Sequence, residues 1–351
     1  MRKFWCLLLI IFSLFSCTID NGSNNIMIKY NISFDNCGIG TTIERIENVA
    51  KVPTNLPTLF EDGYKFIGWY LDQEYTEIVK EEELLNSNLT LYAKWEKLEY
   101  TDGLEFTLSS DGEYYILNHY EKNTGKDIVI PPTYIGLPVK VIGEGSFMRN
   151  DEIESVMIPS SVEVIDAYAF SSCSNLKYLS VGKKVKTIDK YSLCNTRSLE
   201  TIIVDLNNST FDSRNNCNAI IEIETNTLIK GCKNTIIPEG VKSIYKYAFY
   251  GSDLIEISIP NSVSSIGECA FHSCSKLNTI VIGSGLANID LFAFVNCESL
   301  KYIYNNSILN FIIGDNQNGN IAYYALKIYN KGEWSYVNGE AIPNNWLHIN
   351  Y

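Results

Sequence analysis

The sequence predicts a mainly β chain with short helical turns, arranged as a solenoid of stacked coils behind a small β domain. Three observations carry that prediction. A small residue followed by a large one recurs at Ser146-Phe147, Ala169-Phe170, Ser192-Leu193, Ala248-Phe249, Ala270-Phe271 and Ala293-Phe294, with steps of 23, 23, 56, 22 and 23 between the large residues. Five positions before each large residue stands an isoleucine: Ile142, Ile165, Ile188, Ile244, Ile266 and Ile289. Before about residue 97 this frame is absent, and aromatic-rich stretches at strand spacing replace it.

The chain opens on a leader. Arg2 and Lys3 precede an apolar run over residues 4–15 that is short for a bilayer span. The run ends in Leu14, Phe15, Ser16 and Cys17, which resembles a bacterial lipoprotein signal. That resemblance implies cleavage before Cys17, lipid attachment at Cys17 and a tether over residues 17–25. An ordinary secretory peptide, with Cys17 incidental, is the alternative.

Residues 26–96 have their own texture. Strands are expected over residues 27–34, 63–79 and 88–95, with room for one helical turn between Lys80 and Leu85. Gly63, Tyr64, Phe66, Gly68, Trp69 and Tyr70, then Leu91, Tyr92, Ala93, Lys94 and Trp95, resemble the internalin B-repeat, or Listeria–Bacteroides repeat. The resemblance implies a small β-grasp-like module of extracellular proteins. A domain this small needs large apolar groups, so Trp69 and Trp95 are expected in its core. Residues 97–127 form a junction and the edge of the solenoid, with a hairpin from strands near 105–109 and 114–117.

Residues 128–303 form the stack. Val162 and Ile165 stand three apart, which breaks period-two alternation, so each coil should hold two short strands or a bend. Pro159, Pro238 and Pro260 fall where no ladder N–H is needed, and Gly182 and Gly283 take that place in two other coils. Residues 166–170, 189–193 and 290–294 read as helix-like turns capped by Asp166, Asp189 and Asp290. The isoleucines above and Phe147, Phe170, Leu193, Phe249, Phe271 and Phe294 are the expected core. One coil alone buries too little apolar surface. Stacked coils, about 4.8 Å apart, share one continuous interior.

The run Ile259, Pro260, Val263, Ile266, Ala270, Phe271, Cys274 and Leu277 resembles the BspA-like leucine-rich repeat of bacterial surface proteins. The resemblance implies a leucine-rich-repeat solenoid used for adhesion or binding at the cell surface, with no catalytic residues. Ser192-Leu193 and Arg149 depart from its Ala-Phe and Cys positions. The 56-residue step holds an insertion of about 33 residues, at about 200–235, which reads as a variant coil with a hairpin around Thr225 and Asn226. Residues 304–351 read as a last coil and an end cap.

Function is read from what the scaffold displays. A net charge of -13 disfavours nucleic acid and anionic headgroups as partners. No CxxC pair occurs and the three histidines are dispersed, so no metal site or cofactor is expected. Asp205, Asp212 and Asn216 offer oxygen ligands but lack EF-hand spacing. Cys173, Cys274 and Cys297 share one position of the frame, read as buried thiols, with Cys274–Cys297 and Cys217–Cys232 as alternative disulfides. No motif of nucleophilic, phosphate-binding or metalloprotease chemistry is visible, so an enzyme is not expected. Two positions before the large residue, Tyr168, Tyr191, Tyr247 and Phe292 form a column suited to an extracellular protein or glycan. The expected function is a cell-surface lipoprotein that displays the solenoid for adhesion or protein binding. A structural envelope or spacer protein and a glycan-binding module are the alternatives.

Overall fold

The structure is a computed structural model that describes residues 28–120, 125–337 and 340–343. The leader, the tether and Cys17 lie outside the described residues, as do Trp346 and Tyr351.

The N-terminal module is a four-stranded sheet. Its strands are β1 (Tyr30–Asp35), β2 (Ile46–Val49), β3 (Tyr64–Tyr70) and β4 (Leu89–Lys97), in the order β2-β1-β4-β3. The central pair β1–β4 is parallel, with Ile32 opposite Leu89, and both flanking pairs are antiparallel. Trp69 is 4% exposed, meets Phe34 at a tilt and Phe66 edge-on, and donates its indole N–H to Pro57 O at 2.7 Å. The indole N–H of Trp95 reaches Asn36 O at 3.1 Å. No helix forms between Lys80 and Leu85. Leu84 instead bridges to Lys51, and the Leu85 N–H is taken by Ala50 O.

A hairpin of β5 (Leu104–Leu108) and β6 (Tyr115–Tyr120) closes the near edge of the solenoid. The first coil follows with β7 (Asp127–Val129), β8 (Thr133–Tyr134) and β9 (Leu137–Ile142). Two regular coils come next. One holds β10 (Ser155–Ile158) and β11 (Val164–Ile165), and the other β12 (Tyr178–Val181) and β13 (Thr187–Ile188). The variant coil carries β14 (Thr201–Val204), β15 (Phe211–Asp212), β16 (Ala219–Glu222) and β17 (Thr227–Gly231). Beyond it run β18 (Ser243–Ile244), β19 (Glu256–Ile259), β20 (Ser265–Ile266), β21 (Thr279–Ile282), β22 (Asn288–Ile289), β23 (Tyr302–Asn305) and β24 (Lys327–Asn330). A terminal hairpin, β25 (Trp334–Val337) with β26 (Glu340–Pro343), puts Trp334 edge-on to Tyr304 at 5.3 Å.

Each regular coil therefore has three sides: a four-residue strand, a two-residue strand and a turn. The bend between the strands falls at the proline or its glycine equivalent. A Cβ on Gly182 would lie 2.4 Å from Pro159 O, and one on Gly283 would lie 2.6 Å from the Pro260 carbonyl carbon. Glycine is needed there because the corner of the preceding coil packs directly beneath it.

The segments expected to be helix-like are not helical. Among the described residues the helical pieces are two 3-10 turns, Arg214–Asn216 and Asn318–Asn320. Residues 166–170 are chained turns. Tyr168 takes a left-handed φ of 57°, and the Asp166 carboxylate accepts the Ala167 N–H. Left-handed residues recur in the other coils and reverse the chain faster than a helix would.

The interior also departs from one continuous core. Buried apolar residues form two clusters that meet at the variant coil. Strand β16 is the partition: Ile220 belongs to the first cluster, and Ala219 and Ile221 to the second. Alternate side chains of a strand point to opposite faces, so one strand through the stack serves both halves. The same coil splits the long-strand side into the sheets β14-β12-β10-β7 and β19-β21-β23-β24. Strand β17 supplies the missing short strand, pairing parallel to β18 with Leu228 opposite Ile244.

Candidate binding surface

The turn side is built from a backbone ladder. In four coils the N–H of the large residue reaches the carbonyl of the small residue one coil on, while at the variant coil Gly231 N–H takes Ala248 O and at the last coil Phe294 N–H takes Gly319 O. Phe147 N–H binds Ala169 O, Phe249 N–H binds Ala270 O and Phe271 N–H binds Ala293 O, at 2.7 to 2.8 Å. The small residue is therefore a hydrogen-bonding contact as well as a spacer. The rings then stack inside: Phe147 on Phe170 at 5.1 Å, Phe249 on Phe271 at 4.7 Å and Phe271 on Phe294 at 4.9 Å. Ile142, Ile165, Ile244, Ile266 and Ile289 are buried beside them, as is Leu193, whereas Ile188 is only half-buried.

The expected aromatic column sits on the outer edge of this ladder. Tyr168, Tyr247 and Phe292 all have φ near 60°, a conformation that costs an L residue energy and aims its side chain out of the turn. Tyr191 lies outside that set, and its N–H is held by the Asp189 carboxylate at 2.8 Å. Tyr168 stacks on Tyr191 at 5.2 Å and 6°, and Tyr191 meets Tyr247 at 4.9 Å. These last two are 56 positions apart in sequence. They touch because the variant coil makes no turn of its own, so Asn195 N–H binds Tyr250 O directly at 3.0 Å.

Phe292 is not joined to the others. It is 52% exposed, and Cys269, at the same position of the coil between, breaks the aromatic run. The ladder continues on another column instead. Tyr247 contacts Tyr250 at 5.8 Å, and Tyr250 stacks on His272 at 5.0 Å and 11°. Tyr250 and His272 each follow the large residue by one place, so the repeat frame held the signal for them. Lys190 Nζ lies over the Tyr191 ring at 4.6 Å. A hydrogen bond with Tyr191, then burial, raises the Tyr247 hydroxyl pKa, and burial lowers that of His272. The face therefore presents neutral rings near pH 7, with the cation of Lys190 beside them.

Cysteines Cys173, Cys274 and Cys297 lie beneath this side as free thiols. Each donates to the carbonyl of the large residue one coil back: Phe147, Phe249 and Phe271, at 3.0, 3.0 and 3.1 Å. Cys217 and Cys232 are free as well. Asp205 is engaged by Asn207, and Asp212 pairs with Arg214 at 2.7 Å.

Sequence reasoning missed one interface. The Asn-rich run of the variant coil, which reads as plain turn, meets the N-terminal module. Asn216 accepts from the Thr58 hydroxyl at 3.1 Å and donates to Leu56 O at 2.6 Å. Asn207 donates to Thr41 at 2.7 Å, Asp62 accepts the Ser160 N–H at 2.8 Å, and Lys65 lies 5.9 Å from the Tyr178 ring. The module thus lies along the first long-strand sheet. The outward-pointing Met157 and Ser180 of that sheet are 5% and 0% exposed, while the matching Ser258 of the second sheet is exposed.

Comparison with known proteins places this architecture. The sequence profile of the BspA type leucine rich repeat region matches residues 124–220 and 217–319, in six copies, which is more than half of the chain. The chain belongs to the BspA-type leucine-rich-repeat family. The profile of the Listeria-Bacteroides repeat domain matches residues 30–94, the span of the module sheet. Among solved structures, the chain is similar to a T. pallidum leucine rich repeat protein, at 18% identity and a TM-score of 0.30, covering 66% of this chain and 86% of that one. It is similar to a Bacteroides ovatus leucine-rich repeat protein at 23% identity and a TM-score of 0.38, covering 59% of this chain and 47% of the other, so it spans about half of that protein's length. A leucine rich cell surface protein of Faecalibacterium prausnitzii matches at 20% identity and a TM-score of 0.30, over 68% and 96% of the two chains. No curated protein sequence matches significantly. Neither the BspA-type repeat nor the B-repeat points to a catalytic family.

Proposed function

We propose that this chain is an exported protein of the bacterial envelope, anchored through lipid on Cys17, that binds an extracellular protein through the turn side of its BspA-type coils. The observation that supports it most is the aromatic ladder Tyr168, Tyr191, Tyr247, Tyr250 and His272, which stays continuous across the variant coil. Aromatic groups at a surface provide large contact area with few rotatable bonds, and such residues dominate the energy of protein interfaces. The family resemblance to surface proteins and the leader ending in Cys17 support the location. No helix among the described residues is long and apolar enough to cross a membrane.

The test replaces Tyr168, Tyr191 and Tyr247 together with alanine. Capture of host matrix proteins by the purified chain should be lost while the circular dichroism spectrum is unchanged. Retained capture would refute the turn side as the binding surface, and so would unfolding of the triple variant, since the rings would then be structural. Labelled palmitate in growing cells should appear in the wild-type chain and be absent from Cys17→Ser.

A further inference from the structure

A cleft of about 610 Å³ lies between the N-terminal module and the variant coil, away from the turn side. Its walls come from both units. Phe66 and Ile67 line it from the module, and Tyr178 and Thr201 line it from the solenoid. Neither the B-repeat nor the BspA-type coils form it alone.

We propose that this cleft binds a neutral oligosaccharide. Its volume is that of a small-ligand site, and clefts between domains are common places for one. The electrostatics disfavour an anionic ligand. Asp212 and Arg214 both line the cleft and neutralise each other, with the guanidinium also bonded to Asn226 at 2.7 Å. Asp205 is 7% exposed, and its Oδ1 accepts the Asn207 N–H and side-chain amide at 2.8 and 3.1 Å, so its negative charge stays at the cleft wall. The other polar lining is amide and hydroxyl, chiefly Asn55, Thr58, Thr201 and Ser213; Asn55 donates to Asn215, Thr58 donates to Asn216 and Ser213 accepts the Val204 N–H, each with one of its several hydrogen-bonding positions. These groups both donate and accept, which suits the hydroxyls of a sugar better than a carboxylate. Phe66, edge-on to Trp69 and Trp95, and Tyr178, with Lys65 Nζ 5.9 Å from its ring centre, add apolar wall for the C–H side of a pyranose. This site is distinct from the turn side, and its occupancy does not depend on the protein-binding reading.

The experiment uses the purified chain freed only of its leader. It is screened on a glycan array, then titrated calorimetrically with chitotetraose, cellotetraose and maltotetraose, a sulfated tetrasaccharide, and an uncharged octapeptide. At least one neutral sugar should bind. Thr201→Trp fills the cleft and should weaken that binding by about tenfold or more, or roughly 1.4 kcal/mol. Thr279→Trp, the matching position on the open second sheet, should leave it unchanged. Paired Asp62→Ala and Asn216→Ala loosen the module from the solenoid and should weaken it as well. That pair decides the matter should Thr201→Trp fail to fold. No neutral sugar bound, binding confined to the sulfated sugar or the octapeptide, or undiminished binding in the cleft variants would each overturn the proposal.

Discussion

The Cys274 thiol donates to the carbonyl of Phe249, one coil back, at 3.0 Å. That carbonyl already accepts the Ser252 N–H at 2.9 Å, so the thiol fills its second lone pair. The cysteine column is therefore a set of inter-coil links as well as a small apolar filler. Burial pushes the thiols of Cys173 and Cys297 up to about 12 and raises that of Cys274 as well, which leaves them protonated and poor nucleophiles.

Cys274→Ala should cost roughly 1–2 kcal/mol, from one weak hydrogen bond and a small cavity. Urea denaturation monitored by circular dichroism reads this directly. In the native protein, a thiol reagent near pH 7 should modify the exposed Cys37 and spare Cys173, Cys274 and Cys297 until the coils open.

The variant coil is tuned around one glycine. A Cβ on Gly231 would lie 2.1 Å from the Phe249 ring, so Gly231→Ala should destabilise by about 1–3 kcal/mol through overpacking. Phe249→Ala alone should cost about 3–5 kcal/mol. In the double variant Gly231→Ala with Phe249→Ala, the two costs should fall short of additive, because the second change removes the ring that clashes with the first. Strict additivity in denaturation midpoints would show that Gly231 and Phe249 do not press on one another.

Docking of the module is predicted to depend on Asn216. Asn216→Ala loses the contacts to Thr58 and Leu56. Amide hydrogen exchange of residues 55–62 should accelerate, while exchange in β19, β21 and β23 stays as in wild type.

A charge ladder on the long-strand side sets an acid dependence. Glu154 accepts from Lys126 and Lys177, each at 2.7 Å, and these hydrogen bonds, the first from Lys126, hold its carboxyl down at about 2 against an ordinary 4.5. A folded-state pKa below the unfolded one means stabilisation that is complete above about 4.5 and is lost as the pH falls toward about 2. The difference in thermal midpoint between wild type and Glu154→Gln should therefore be present at pH 7 and vanish near pH 2. Glu163, held low first by Lys186, shifts in the same direction. The group is exposed, so added salt should shrink the effect. A difference that grows on acidification would contradict the assignment.

The repeat was legible because every regular coil meets the same surroundings. Phe271 stacks between Phe249 and Phe294, and Phe170 on Phe147, so these positions carry the same residue type and spacing alone reveals a common interior. The left-handed turns were less legible. Asp166 and Asp189 resemble helix caps, but their carboxylates bind the next N–H or the one after it inside chained turns. Local propensity does not separate the two arrangements; the ladder to the next coil does.

The sequence by itself determined the repeat frame and the residue types at its core positions, all buried but Ile188, since these follow from hydrophobic period and residue size. Tertiary structure decided what the irregular part does. That Ile220 and Ile221 serve separate cores and that Asn216 holds Thr58 both depend on pairs brought together by closure of the chain. Such contacts occur once, between unlike neighbours, and so leave no periodic trace in the order of residues.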